Sequence, residues 1–139
     1  MSREKRPPDD ADFELVRDAW ASTHNDIRNA LRFYCDDIEI KPFGAMLEGG
    51  VYRGHEQVVE WWDNQIVPSW EAFEVTADDF QRVGNRLLVF GHWRARGRTS
   101  GVALEMPATW VVEVRDGKIA RWQTFTDRGE AFAEVGLSE

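Results

Sequence analysis

The chain has 139 residues, which is room for one domain with a sizeable hydrophobic core. Its 25 acidic and 17 basic residues give a net charge of −8, which argues against nucleic acid or an anionic membrane as a partner. A lone cysteine, Cys35, excludes an internal disulfide framework and a cysteine-based zinc site. No apolar run is long enough to cross a bilayer, and no leader is recognisable, so we predict a cytoplasmic protein.

The aromatic content is the most unusual feature of the composition. Seven tryptophans stand among 17 aromatic residues, and hydrophobic residues make up 42% of the chain. A small domain so rich in indole rings is typical of proteins that line a large cavity or cover a partner face.

The first half of the sequence predicts helices. Residues 1–11 have nothing to bury and read as a flexible tail, which leaves 12–139 as the single domain. Phe13, Val16 and Trp20 have helical spacing, with Asp10 or Asp12 available as the cap. A second helix follows Asn25 and Asp26, a short strand covers 38–42, and a third helix covers roughly 55–65.

The second half predicts a meander of strands. Alternating residues begin at Phe73, and longer strands follow at about 86–97, 102–115 and 118–126. Gly84-Asn85 and Asp116-Gly117 are hairpin turns, and residues 130–135 form a closing helical turn. Helices followed by antiparallel strands indicate an α+β fold, a curved antiparallel sheet wrapped by N-terminal helices into a cone whose open end suits a ligand.

Five short sequence motifs, taken in their order along the chain, resemble those of a known family. They are Asn25-Asp26, Tyr34 to Glu39, Tyr52 to Glu56, Arg115 to Ile119, and Phe125 to Arg128 followed by Ala131 to Leu137. With these phrases the chain resembles the SnoaL-like branch of the nuclear transport factor 2 and ketosteroid isomerase superfamily. The resemblance implies the same cone-shaped fold. It leaves several activities open, because this fold hosts isomerases, cyclases, epoxide hydrolases and proteins without known chemistry.

Two of these activities fit the sequence poorly. A steroid-type isomerase needs a carboxylate base where this chain has Pro42 or Lys41, and a buried acid near Trp110. A limonene-type epoxide hydrolase needs an Asp–Arg–Asp set. Here the strand aspartate is replaced by Arg94, so this activity remains only as an alternative.

The cyclases of the family fit better, and the resemblance then implies three catalytic residues. Asp127 lies in the phrase that carries the acid/base, His92 would share its proton, and Arg94 would bind an enolate oxygen. Strand alternation places His92 and Arg94 on one face with Leu88 and Phe90, and we favour the orientation in which this face points into the cone. The other orientation puts both residues in solvent or at a subunit contact, and Asp127 is equally suited to capping the turn that follows it.

A small hydrophobic molecule is the predicted partner. The ligand-binding residues that we predict are Trp20, Ile40, Phe90, Trp110 and Phe125. Val89, Trp93 and Trp122 fall on the opposite sheet face, where an apolar stripe predicts a homodimer.

No metal site or cofactor is predicted, because the three histidines lie on separate elements without paired spacing. Two functions therefore stay open, proton-transfer catalysis and non-catalytic ligand binding. Convergence of His92, Arg94 and Asp127 around an empty volume favours the first, and separation favours the second.

Overall fold

The computed structural model describes residues 10–23, 25–42, 50–125 and 127–136. Within these residues, three α-helices, a 3₁₀ helix, a π-helical turn and six strands follow one another. In chain order they are α1 (Ala11–Thr23), the 3₁₀ helix (Ile27–Phe33), β1 (Tyr34–Lys41), β2 (Tyr52–Arg53), α2 (Gly54–Trp61), the π-helical turn (Trp62–Ile66), β3 (Trp70–Val83), β4 (Arg86–Gly97), β5 (Ala103–Arg115), β6 (Lys118–Phe125) and α3 (Arg128–Glu134).

All six strands form one sheet in the order β2-β1-β6-β5-β4-β3. The strands from β3 to β6 pair antiparallel in sequence order, while β1 pairs parallel with β6. The predicted α+β class with a curved sheet and helices is confirmed, although the sheet is mixed and not wholly antiparallel.

The helices of the first half differ from prediction in type more than in place. The second is a 3₁₀ helix capped by Asp26, and β1 begins at Tyr34, four residues earlier than expected. The third continues from α2 into a π-helical turn. The predicted tail lies outside the described residues except for Asp10, which caps α1, and Ala11, the first residue of α1.

The sheet has two faces that are covered by different helices. The inner face carries Leu87, Val89, Trp110, Val112 and Trp122, which pack with α1 and α2 in the main core. The outer face carries a smaller core, in which residues of the sheet pack against α3; its buried members are Leu88, Val111, Phe125, Ala131 and Val135. Both faces of β4 therefore carry apolar residues, so the alternation of residue types along β4 does not identify the face that points into the cone.

One charged cluster ties the start of α1 to β3. The Asp10 carboxylate accepts from the backbone N–H of Asp12 (2.9 Å) and from both Nε (3.0 Å) and Nη2 (3.0 Å) of Arg82. Arg82 also contacts Asp12 at 2.7 Å. The hydrogen bond from Arg82 lowers the pKa of Asp10 below its ordinary value, because it stabilises the charged carboxylate.

We expect Asp10→Ala to lower the free energy of unfolding by about 1–2 kcal/mol at pH 7, because it removes a helix cap and a forked ion pair together. Asp12→Ala, which removes one contact of Arg82 and no cap, is the matched control and should cost less. A depressed carboxylate pKa stabilises the fold above its unfolded value and loses this effect as the pH falls through the folded value. Urea unfolding should therefore show Asp10→Ala approaching wild type as the pH falls below the ordinary range of an aspartate, and a difference that stays constant with pH would contradict the assignment.

Candidate ligand-binding cavity

A cavity of about 410 Å³ lies between the inner face of the sheet, α1 and the α2 segment. This volume is within the range of sites for small organic molecules. Every strand from β3 to β6 contributes to its wall, and Tyr34 from β1 and Ile27 from the 3₁₀ helix also line it.

Seven aromatic rings form a continuous belt around this cavity. Successive ring centroids lie between 4.8 and 6.4 Å apart, mostly in tilted or edge-to-face pairs. In order of contact the belt consists of Trp110, Trp20, Trp122, Trp61, Trp62, Phe73 and Trp93. A lining of this kind offers large, rigid apolar surfaces to a ligand at little entropic penalty.

The most exposed lining residues mark the mouth of the cavity. They are Arg17 and Ala21 on α1 and Glu74 on β3. Glu74 is already paired with Arg94, whose Nη2 lies 3.0 Å from its carboxylate. Charge is therefore confined to the entrance, while the interior is aromatic.

Three buried polar atoms of the lining have no hydrogen-bond partner among the described residues. They are the hydroxyl of Tyr34 and the indole N–H groups of Trp61 and Trp122. These side chains are nearly inaccessible, with 1%, 4% and 8% of their residue surface exposed. Their polar atoms have almost no accessible surface, so they belong to the packed wall behind the cavity and do not face its interior.

Tyr34 is held in its neutral, proton-donating form. Burial raises the pKa of its hydroxyl well above the ordinary tyrosine value, and the interaction with the neighbouring Trp122 indole opposes this rise more weakly. The backbone at this point is fixed from the other side, where the His55 ring nitrogen Nε2 lies 3.1 Å from the carbonyl oxygen of Cys35 and 3.3 Å from that of Tyr34.

The three predicted catalytic residues do not meet. His92 is paired with Asp78 (3.1 Å) and Glu105 (3.3 Å), and Arg94 with Glu74, so the favoured inward orientation of β4 is wrong. The carboxylate of Asp127 accepts from Gly129 N–H at 2.8 Å and caps α3. None of the three belongs to the cavity lining.

The predicted ligand-binding residues divide between the two faces. Trp20 and Trp110 line the cavity, and Ile40 is buried in the main core without lining it. Phe90 and Phe125 lie on the outer face with α3, where Phe90 packs 6.2 Å from Phe132. They were misplaced because α3 supplies an apolar partner that strand alternation alone does not reveal.

The same wrong assignment of the two sheet faces also put two tryptophans on the wrong face. Trp93 and Trp122 were expected on a dimerising outer stripe with Val89, but both line the cavity and Val89 is fully buried in the main core. Sequence analysis also gave no role to Trp61, Trp62 and Tyr34. One sequence signal could have corrected the assignment of faces. It is the set of apolar residues Ala131, Phe132 and Val135, which must pack against an apolar surface and do so on the outer face of the sheet.

In the part of the chain that the structure describes, no group of three or more His, Cys, Asp or Glu side chains is arranged so that it could hold a metal ion. Within the same residues, no helix is long and apolar enough to cross a membrane. The aromatic belt and the charged residues at the mouth define the candidate site.

The sequence matches the SnoaL-like domain over residues 14–122, which is most of the chain. The chain belongs to the SnoaL-like family. No curated protein matches it in sequence. The family assignment and the cone-like fold agree with the resemblance drawn from the sequence motifs.

Several solved structures have the same fold as this SnoaL-like domain at low sequence identity. TerC, co-crystallised with polyporic acid, has a TM-score of 0.72 and 22% identity, covering 90% of this chain and 97% of its own. Δ5-3-ketosteroid isomerase from Mycobacterium sp. has a TM-score of 0.68 and 17% identity, covering 85% and 94%. A protein of ketosteroid isomerase-like fold from Catenulispora acidiphila, in complex with trimethylamine, has a TM-score of 0.66 and 18% identity, covering 89% and 93%.

Proposed function

We propose that this SnoaL-like domain binds a small, largely apolar, oxygen-bearing molecule inside the aromatic belt. The observation that carries the proposal is the cavity of about 410 Å³ with seven aromatic rings around it and charge only at its mouth. Such a lining removes the surface of an apolar ligand from water, at about 25 cal/mol for each Å² buried. Small-molecule ligands in structures of this fold, such as polyporic acid in TerC, support the same use here.

Binding without catalysis is the form of this function that the geometry supports best. The ionisable residues of the described lining are Arg17, Tyr34 and Glu74; the first and last stand at the mouth, and Tyr34 is kept neutral by burial. Proton transfer needs an acid or base within hydrogen-bond reach of the reacting atom. The candidates from sequence, His92, Arg94 and Asp127, are engaged elsewhere.

Equilibrium binding of 9-fluorenone, a flat tricyclic ketone, tests this function. We expect it to quench the fluorescence of the cavity tryptophans with a Kd of about 1–100 µM, because a ligand of this size gains affinity mainly from buried area. The affinity should change little between low and high salt, since the belt carries no charge. Absence of binding up to the solubility limit would contradict the proposal.

Proton-transfer catalysis of the cyclase or isomerase kind is the second candidate function. Substitution of Asp127 tests it. Asp127→Asn keeps the capping oxygen and removes the proton acceptor. If Asp127 only caps α3, as its bond to Gly129 suggests, we expect ligand affinity and Tm to change little. If the domain is an enzyme using this residue, turnover of any substrate found should fall about a hundredfold or more.

The homodimer and the cytoplasmic location stay predictions. Because Trp93 and Trp122 line the cavity, a dimer interface has to use other surface. Val102, Leu104 and Met106, which are 55%, 41% and 47% exposed at one end of β5, support an interface there. Light scattering at micromolar concentration should report a dimer, and a monomer would contradict this part of the proposal.

A further inference from the structure

The two charged residues at the mouth of the cavity are not equivalent. Glu74 is compensated by Arg94, which lies directly opposite it on β4 with its Nη2 3.0 Å from the carboxylate. The side chain of Arg17 makes no hydrogen bond or ion pair with another described residue. Within the described lining, the mouth therefore carries an uncompensated positive charge, although the chain as a whole has a net charge of −8.

An aromatic ring fixes the position of this guanidinium. The Arg17 guanidinium lies 5.5 Å from the ring centroid of Phe13, one helical turn earlier on α1. Phe13 is buried and stacks on Phe80 of β3 at a centroid distance of 4.4 Å, so the ring is itself held in place. A ring face is a weaker partner than a carboxylate, so the N–H donors of the guanidinium stay available to an arriving oxyanion.

We propose that Arg17 binds a carboxylate at one end of a ligand whose apolar body lies inside the aromatic belt. The inference rests on the proposed function and adds to it the charge of the ligand, the end that carries this charge and the residue that selects it. A guanidinium can hold a carboxylate through two parallel hydrogen bonds, which gives orientation as well as attraction. The ligand class is therefore an amphipathic organic acid.

The depth of each residue separates the two parts of such a ligand. Trp20 and Trp110 of the belt are 7% and 2% exposed, whereas Arg17, three residues before Trp20 on α1, is exposed. A carboxylate buried among the belt would have no countercharge, and burial of an unpaired charge is strongly unfavourable. At the mouth the carboxylate stays hydrated and meets the guanidinium. The apolar end of the ligand therefore enters first.

A cationic ligand is the competing interpretation of an aromatic belt, because cations bind to the faces of aromatic rings. Glu74 is the acidic residue of the described lining, and Arg94 already compensates its charge. A ligand cation at the mouth would therefore meet the like charge of Arg17 without an available carboxylate in the described lining. The charges at the mouth favour an anion.

The test compares 9-fluorenone-2-carboxylate with 9-fluorenone, which has the same ring system and no charge. Arg17→Met keeps an unbranched apolar stem and removes the guanidinium. We expect it to weaken binding of the carboxylate about fivefold and to leave fluorenone affinity within about twofold of wild type. The control is Arg32→Met, which should change neither affinity. Arg32 is also exposed, with its guanidinium 4.6 Å from the ring centroid of Phe33, and it does not line the cavity.

Salt dependence separates an effect of charge from an effect of packing. In wild type the affinity for the carboxylate should fall about threefold between about 20 and 500 mM sodium chloride, while that for fluorenone stays constant. Arg17→Met should remove this fall. Arg17→Lys should retain it, because lysine keeps the positive charge.

Folding does not confuse the result, because Arg17 is exposed and its variants should keep the Tm of wild type. Equal losses of carboxylate and fluorenone affinity in Arg17→Met would overturn the inference. So would carboxylate binding that responds neither to Arg17→Met nor to salt, and both results would leave a cavity for neutral ligands. Failure of 9-fluorenone and its carboxylate alike to bind would instead overturn the proposed function beneath it.

Discussion

Gly91→Ala is expected to lower the free energy of unfolding by about 3 kcal/mol or more, at the upper end of overpacking effects. Gly91 lies on the inner face of β4, where it pairs with Ala77 of β3. A Cβ added there would overlap the carbonyl oxygen of Thr76 and lie 3.2 Å from the Cα of Ala77. Both neighbours are backbone atoms, so relief requires the two strands to move apart.

The same change should weaken ligand binding. Thr76 and Ala77 line the cavity, and the pairing of β3 with β4 shifts register between Ala77 and Asp79, where the sheet bends. Displacing this bend changes the wall against which the ligand packs. We therefore expect fluorenone affinity to fall in parallel with stability.

Gly84→Ala is the control for this experiment. Gly84 has a positive φ of 64° at the β3–β4 turn and no atom within 4 Å of an added Cβ. The substitution introduces backbone strain of about 1–2 kcal/mol without a collision and away from the cavity. Urea unfolding of both variants should separate the two effects, and equal destabilisation would show that the Gly91 contact is not what constrains the sheet.

Trp110→Ala is expected to lower the free energy of unfolding by about 3–5 kcal/mol, as is typical when a large buried aromatic is truncated. Trp110 is 2% exposed, lies at the centre of β5 and packs 4.8 Å from the ring of Trp20. Its loss also enlarges the cavity and removes one ring of the belt. Fluorenone affinity should therefore fall by about tenfold or more, which corresponds to about 1.4 kcal/mol.

Trp70→Ala provides the matched comparison for this variant. Trp70 is a half-buried tryptophan at the start of β3 that packs 6.3 Å from Trp93 and is not part of the cavity lining. Its truncation should cost less than half as much stability and leave fluorenone affinity within about twofold of wild type. A larger effect on binding than that of Trp110→Ala would contradict the placement of the ligand.

Local sequence signals predicted most of the fold. The strand from Arg86 to Gly97 and the turns at Gly84-Asn85 and Asp116-Gly117 are present as expected, and Gly136 follows α3 with a φ of 86°. These features depend on alternation, turn chemistry and the freedom of glycine to adopt positive φ, which are properties of neighbouring residues. They could therefore be inferred without knowing the tertiary structure.

The orientation of β4 could not be inferred in the same way. Leu88 and Phe90 on one face, and Val89 and Trp93 on the other, are equally apolar, so alternation offers two orientations of nearly equal merit. The contact of α3 with the outer face resolves the choice, and this is a long-range interaction between residues about forty positions apart. The misplacement of His92, Arg94, Phe90 and Phe125 follows from it.

The burial of Tyr34, Trp61 and Trp122 around one cavity could not be predicted from the sequence either. Tyr34 reads as the last residue of a helix by its spacing from Ile27 and Leu31, yet the chain turns into β1 at this residue. Trp61 and Trp122 are brought to it by α2 and β6, from distant positions in the chain. Whether their N–H groups find partners depends on three-dimensional packing, which residue types alone do not specify.

A crystal structure of the protein bound to 9-fluorenone tests the account most directly. The account predicts the three fused rings inside the aromatic belt, in contact with the rings of Trp20 and Trp110. A ligand bound on the outer face near His92, or an empty cavity at saturating ligand, would contradict it.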